Sequence, residues 1–375
     1  MRILHVTSDR GIGGTARYLK GILASPALDQ DQLFAVVPPG PLAEDLKGSL
    51  PHVQVWVHPM PSRSFHFPTV LSLYRLFQEL RPQVVHTHSS LAGRLAASLA
   101  GVPAVFYTRH GLQDRPSAQL KGFPLALARR WQRRSRHQAL AVSEKVAEEM
   151  RGEGIPEERI HVLYAPMDPE PFAHLEEERE KVRAAWGISP QEVVVLGTGR
   201  LAAEKRWEAW LEAVAEAQYL LDGPPLRPVI AGDGPLKDRL VRRARSLGLD
   251  PSLFIGFQKD VRPLYAAADI FLLLSLREAF SLAVVEAQLS GVATVVAAES
   301  GGGEAVTDGE TGRLVPGGSA AQAREILMDL ALHPEKRLAL GQAGREAARR
   351  RHDPSLQGQK LRELYLRALS PGAPL

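Results

Sequence analysis

Short runs of apolar residues recur along the chain, and most are continuous rather than alternating. In the first half they read "ILHVTS", "LFAVVP", "VQVWV", "QVVHTH", "AVFYTR", "QALAVS" and "IHVLY". Runs of this length, rich in Val and Leu, are what strands buried on both faces look like. Segments of helical period lie between several of them, such as Leu91 to Ala100 and Phe123 to His137. Strands alternating with helices predict a parallel sheet with right-handed crossovers. The rhythm breaks after Tyr164, where "APMDPEPFAHLEEEREKVRAAWGISPQE" is rich in proline, then charged, and holds no strand. It restarts with "VVVLGTGR", "RPVIAGDG", "LFIGF", "DIFLLLS" and "ATVVAA". The pattern predicts two doubly wound Rossmann-like α/β domains, 1–170 and 171–350, with the boundary falling within Pro166 to Pro190. The strandless, charged C-terminal segment is expected to end in a helix, 351–375, that packs back on the first domain. In open parallel sheets ligands bind beyond the carboxyl ends of the strands, so two such domains facing each other would enclose a cleft for a small molecule.

Size and composition add limits. A length of 375 residues suits two cores of ordinary size. The formal net charge of +4 is mildly basic. That suits an anionic substrate, a phospholipid surface or nucleic acid without choosing among them. Cysteine is absent, which excludes disulfides, thiolate metal sites and cysteine nucleophiles. "MRILHVTS" begins as a strand and lacks the tripartite pattern of a signal peptide. No apolar run reaches the roughly 18 residues a membrane span needs. The expectation is a cytoplasmic protein, at most peripheral on the inner face of a membrane.

The polar residues cluster at the ends of the predicted strands. In "SLREAFSLAVVEAQLSG" two acids, Glu278 and Glu286, bracket an apolar run. On one continuous helix eight residues would set them about 12 Å apart along the axis, too far to share a proton. The alternative places Glu278 in the loop after "DIFLLLS" and makes Ser281 the cap of a helix from Leu282 to Leu289. Glu278 would then stand near a reacting centre, and Glu286 would accept hydrogen bonds from a polyol. A plain loop acid and a solvated helix acid fit the same pattern. "GRLAAEKRW" sets Arg200 and Lys205 just past a strand, and "AGDGP" and "ESGGGEAV" follow two others. Cations, helix N-termini and backbone amides at glycines such as Gly199 and Gly232 point together to a phosphate. Near the N-terminus "SDRGIGGTARYL" keeps Gly11 and Gly13 of a dinucleotide fingerprint, but Ala16 stands where the third glycine belongs. The second strand closes on "VVPPG" without the usual acid. This argues little for NAD, and leaves Gly13 and Gly14 as a loop through which backbone approaches a ligand.

With these residues together the chain resembles the retaining glycosyltransferases of family 4, which have the GT-B fold. The matching segments are "GRLAAEKRW", "IAGDGPLKDRL", "FIGFQKDVRPLYAAADIFLLLS", "REAFSLAVVEAQLSGVATVVA" and "DGETGRLVP". Looser counterparts in the first half are "GGTARYL", "VVHTHSSLAGRLAA", "TRHG" and "AVSE". The likeness covers nearly the whole chain and is strongest from about Val193 to Pro316. It implies that Arg200 and Lys205 hold the diphosphate of a nucleotide sugar and that Glu286 accepts from the ribose. It also implies that Glu278 lies by the transferred sugar with Ala279, Phe280 and Ser281, and that His110 reaches that sugar. Gly13 and Gly14 would lie near the phosphates and the acceptor, and Gly199, Gly232 and Phe257 complete the donor-binding set. The chain departs from the family pattern at "YAPMD", "EAQLSG" and the triple glycine of "ESGGGE".

Other signals point away from different chemistries. "DQD", Asp29 to Asp31, mimics a metal-binding D-x-D but precedes a strand, and reads as a solvated turn. "HTH" sets His86 and His88 on one side of a strand end without evident further ligands for zinc, so His88 reads as structural or substrate-adjacent. No P-loop or nucleophile-elbow motif occurs. The expected activity is metal-independent, cofactor-free transfer of a hexosyl group from a nucleotide-diphosphate sugar to a glycan, lipid-linked or small-molecule acceptor. Nucleic acid is not an expected partner. A nucleotide-sugar epimerase on the same fold and a non-catalytic nucleotide-sugar-binding protein are the rival readings. In "FPLALARRWQRRSRHQ" a helix would gather Arg129, Arg133 and Arg136 on one face. That face would be either plainly solvated or set against an anionic membrane surface.

Overall fold

The computed structural model describes residues 1–61, 66–112 and 135–370. The chain divides into two compact units, one made of Met1–Asp168 with His352–Leu375, the other of Pro169–Arg351.

Among the described residues the first unit has seven parallel strands: β1 (Arg2–Thr7), β2 (Gln32–Val37), β3 (Gln54–Val57), β4 (Val84–His88), β5 (Ala104–Arg109), β6 (Gln138–Ala141) and β7 (Ile160–Val162). Their order in the sheet is β3-β2-β1-β4-β5-β6-β7, so the winding reverses between β1 and β4. The central strands are buried along their length because helices cover both faces. The two faces differ in chemistry. Leu4, Val6, Val85 and Val105 point to an apolar side, where they pack with Leu73 and Phe77 of the helix Phe67–Leu80 and with Ala96 of Leu91–Leu99. The opposite parity presents histidines. His5 is paired with His86 across β1 and β4, and His88 with Thr108 across β4 and β5.

The C-terminal helix Pro354–Leu369 belongs to this unit. Ser25 donates a hydrogen bond to the carbonyl of Pro354. Asp31 accepts from the Met1 ammonium at 2.6 Å and from Arg362 Nε at 2.9 Å. Asp31 is therefore a buried ion-pair partner and not part of a solvated turn. Its partners lie far away in sequence, so the local "DQD" pattern does not reveal them.

The second unit has six parallel strands: β8 (Val193–Thr198), β9 (Leu226–Ala231), β10 (Phe254–Gly256), β11 (Ile270–Leu273), β12 (Ala293–Ala297) and β13 (Arg313–Val315). The order β10-β9-β8-β11-β12-β13 reverses between β8 and β11. β13 has no counterpart among the predicted strands. It is three residues long, and only Leu314 and Val315 are apolar between Arg313 and Pro316, so no apolar run marks it. Trp207, Trp210 and Leu211 of the helix Trp207–Leu220 seal one face over Val195 and Leu272. Among the described residues no helix is long and apolar enough to cross a membrane. Most of the segment proposed as a basic helix, including Arg129 and Arg133, lies outside the described residues, while Arg136 and His137 are described and are not helical.

Candidate functional site

In the second unit the site grows from the reversal of strand order. β8 and β11 are neighbours, so the loops after their carboxyl ends lie side by side. The loop after β8 runs through Arg200 into a tight turn, Ala203–Lys205, and Arg206 at φ 52° breaks it from the following helix. Trp207 Nε1 donates to the carbonyl of Arg200, and Ser275 Oγ donates to the carbonyl of Glu204. These two bonds fix the Lys205 turn to the helix on one side and to the β11 loop on the other.

Lys205 Nζ and Glu278 Oε1 meet at 2.5 Å, with both side chains mostly shielded from solvent. Glu278 lies in the loop after β11, not on a helix. The helix that follows spans Leu282–Leu289. Ser281 occupies its cap position in extended geometry, but its hydroxyl makes no capping bond. The expected side-chain cap is therefore absent, and the first-turn amides keep no partner of that kind. Glu286 is 4% exposed and accepts a hydrogen bond from the Tyr265 hydroxyl at 3.0 Å, which rules out a solvated helix acid.

Two glycines let backbone segments meet where a side chain would collide. A Cβ on Gly232, at φ 155°, would fall 1.8 Å from the carbonyl oxygen of Gly199. A Cβ on Gly301 would fall 2.1 Å from the carbonyl oxygen of Ala279, and the Gly301 amide donates to the carbonyl of Glu278 at 2.9 Å. Gly301 thus holds the peptide that carries Glu278. Sequence reasoning left the register of "ESGGGE" open and gave no role to Gly301, Ser275 or Tyr265. Gly199 stands beside the Lys205 stem, where its own Cβ would come within 3.4 Å of Cε. Ala279 and Phe280 are half-buried next to Glu278. Arg200 is exposed and 4.0 Å from Glu204, and Phe257 is exposed. The structure thus joins Lys205 with Glu278 directly and leaves Arg200 and Phe257 at the surface.

In the first unit Gly13 caps the helix Gly14–Leu23, and both glycines are exposed. A Cβ on Gly13 would meet nothing within 4 Å. His110 follows β5 on the parity of Phe106 and Thr108, so it lands on the histidine face. Its Nε2 is 3.0 Å from His88 Nδ1, and His88 Nε2 is 3.1 Å from His5 Nδ1. Tyr18 packs edge-on to His110. His86 is paired separately, Nδ1 with the Tyr365 hydroxyl and Nε2 with Thr108 Oγ1. Burial pushes His5 and His110 down to about 3 and holds His86 and His88 well below the usual histidine range. His5 was not among the sequence candidates, yet it brings a third imidazole to His86 and His88, with ligand atoms within 4.8 Å of one another. Of the six ring nitrogens only His5 Nε2 is a buried atom without a partner among the described residues, so the trio is a hydrogen-bonded array rather than an open set of metal ligands.

Comparison with known proteins agrees with this architecture. Residues 12–171 match the model described as Glycosyltransferase Family 4, and residues 178–347 match Glycosyl transferases group 1. A GDP-mannose-dependent alpha-mannosyltransferase of Mycobacterium tuberculosis is 30% identical over 332 residues, covering 82% of each chain. The Escherichia coli UDP-Gal:alpha-D-GlcNAc-diphosphoundecaprenol alpha-1,3-galactosyltransferase is 30% identical over 246 residues, and the match spans 61% of each chain. Among solved structures, Anabaena HepE in complex with UDP-glucose superposes with a TM-score of 0.81 at 21% identity, covering 97% of this chain and 99% of that one. The fold is GT-B. The chain belongs to the family 4 glycosyltransferases.

Proposed function

We propose that this chain is a retaining, metal-independent glycosyltransferase that uses a nucleotide-diphosphate sugar. The observation that supports it most is the Lys205–Glu278 pair, set where the strand order reverses and tied down by Ser275 and Gly301. In the net reaction the bond from the anomeric carbon to the leaving phosphate oxygen breaks. A bond to the acceptor oxygen forms with the configuration kept, and the acceptor proton leaves with the phosphate. Negative charge grows on the diphosphate as the sugar departs. Lys205, Arg200 and the first-turn amides of the helix Leu282–Leu289 stabilise that charge, the task a metal ion performs in other enzymes. Glu278, with Ala279, Phe280 and Ser281, orients the sugar, and Glu286, braced by Tyr265, accepts from the ribose hydroxyls. Gly13, Gly14, Gly199 and Gly232 supply close backbone, Phe257 borders the base, and His110 donates a hydrogen bond to a sugar hydroxyl. The acceptor is a glycan, a lipid-linked sugar or a small molecule, reached from the cytoplasmic side.

The relatives' names include both a UDP-galactose and a GDP-mannose donor, so the test begins with a screen. Thermal shift with UDP- and GDP-sugars selects the donor, because a bound nucleotide stabilises by mass action. Transfer is then followed by NMR in the presence of EDTA. A product of retained configuration with EDTA present is the expected result. An inverted product, an absolute need for manganese, or a sugar epimerised without transfer defeats the proposal.

A further inference from the structure

The histidine array ends at His110 on one side and at a sealed nitrogen on the other, and that asymmetry fixes the direction of its hydrogen bonds. Three rings are joined in series: His5 Nδ1 to His88 Nε2, and His88 Nδ1 to His110 Nε2. A neutral imidazole has one N–H and one lone pair, so each ring that donates at one nitrogen accepts at the other. The series therefore has two arrangements. In one, His5 Nδ1–H donates to His88, His88 Nδ1–H donates to His110, and His110 bears its own proton on Nδ1. In the other every bond is reversed, His110 offers Nδ1 as an acceptor, and the proton of His5 sits on Nε2.

The far end decides between them. His5 is wholly buried, and among the described residues its Nε2 has no hydrogen-bond partner. The reversed arrangement would seal an N–H there with nothing to accept it, whereas the forward one leaves only an unused lone pair. Orphaned buried N–H groups are the rarer and costlier of the two. A doubly protonated His88 would escape this logic, but burial and the adjacent imidazoles keep the rings neutral. His86 does not interrupt the series, since both of its nitrogens are engaged with hydroxyls.

We propose that His5 and His88 are positioning residues that lock His110 in the Nδ1–H tautomer, so that His110 meets its ligand only as a hydrogen-bond donor. The inference rests on the proposed reading for the identity of that ligand, a sugar hydroxyl oxygen, but not for the tautomer. No hydrogen bond to His110 Nδ1 is made among the described residues, so that group remains for a ligand. The partner must then present a lone pair. A sugar carrying only hydrogen at the matching carbon forfeits the bond.

The tautomer is read without substrate, by nitrogen-15 NMR of the full chain labelled at histidine, at neutral pH, with resonances assigned by single His variants. The expected result is Nδ1–H on His5, His88 and His110. Finding Nε2–H on His110 overturns the inference, whatever the enzyme transfers. Kinetics then separate positioning from simple packing. An Asn side chain places an amide N–H near the former Nδ1, so His88→Asn should keep the lock and near-wild-type turnover. His88→Leu should release it, lowering kcat on the order of ten-fold while donor KM shifts less than about two-fold. Equal losses in the Asn and Leu variants, each with a wild-type circular dichroism spectrum, would count against the lock. Nδ1–H on His110 together with a His110→Phe variant that transfers sugar at the wild-type rate would leave the tautomer standing and defeat the role given to His110.

Discussion

Mild acid should loosen the first unit, and His5 allows the size of the effect to be worked out. Its side chain is fully buried, and burial pushes its pKa from 6.5 down to about 3. As pH falls through 6.5 the unfolded chain takes up a proton at this position, while the folded chain stays neutral until about pH 3. The unfolded state therefore binds more protons throughout that window, and stability falls with falling pH. The loss is absent above about pH 6.5 and complete near pH 3. At about 1.4 kcal/mol per pH unit, one such histidine removes about 2 kcal/mol at pH 5. That figure requires only that the folded pKa lie well below 5. His137, buried beside Arg94 and Arg159 and also held near 3, adds a similar amount. Against a typical stability of about 5–15 kcal/mol these are large fractions.

The comparison is wild type against His5→Asn, which keeps a side-chain amide toward His88 but does not titrate. Hydrogen exchange of β1 and β4 peptides at pH 7.5 and pH 5, corrected for intrinsic exchange rates, reports the opening free energy of this unit. The wild-type decline over that interval should exceed the variant's by about 2 kcal/mol. Equal declines would mean that His5 is not held neutral by its surroundings, and the reasoning would fail.

Three further outcomes are expected. Lys205→Ala should lower kcat/KM by about 2–4 kcal/mol equivalent, since it removes the shielded cation proposed to face the departing diphosphate; wild-type transfer rates would sink that assignment. Glu286→Ala should weaken nucleotide binding by about 1.5–3 kcal/mol by calorimetry, through loss of a charged acceptor, with little change in binding expected only if the ribose lies elsewhere. Asp31→Asn should destabilise the first unit by about 3–5 kcal/mol in urea unfolding, because it strands the Met1 ammonium and Arg362; a stability change within error would mean the pair contributes nothing.

The central strands were readable because a strand buried on both faces is a continuous apolar run, and twelve of the thirteen described strands, edges included, lie in runs of that kind. β13 offers only Leu314 and Val315 between Arg313 and Pro316, too short for such a run. Lys205 and Glu278 stood out because charged residues sit just beyond apolar strands, where ligands bind in this class of sheet, and Glu286 because it is the one acid in the apolar helix that follows. What the sequence did not disclose depends on register and distant pairing. His86 and His88 share a face by strand alternation, but His5 and His110 join them only through the parallel registers of β1, β4 and β5. His5 taken singly looks like an ordinary strand residue. Asp31 likewise reads as a turn acid until Arg362, from the far end of the chain, is seen against it. Gly301 needs the Glu278 peptide in place before its missing side chain acquires a reason.

Glu278 poses a question that its neighbour answers. A carboxylate in a site proposed for a diphosphate should repel it: two unit charges about 4 Å apart interact by about 4 kcal/mol at the effective dielectric near a protein surface. The Lys205 ammonium at 2.5 Å offsets that charge while the site is free of ligand. On the proposed reading, an arriving diphosphate makes Lys205 divide its hydrogen bonds between the acid and the phosphate, so Glu278 would compete with the nucleotide for the same cation. Glu278→Gln removes the competition but also the charge proposed to orient the sugar. The variant should therefore bind nucleoside diphosphate at least as tightly as wild type, by calorimetry, while transferring sugar more slowly. The opposite pair of results, weaker nucleotide binding with unchanged turnover, would place Glu278 in the nucleotide subsite and refute its assignment to the sugar. Salt adds a second check. With the acid gone, Lys205 faces the diphosphate alone, so nucleotide affinity in the variant should fall more steeply with ionic strength than in wild type.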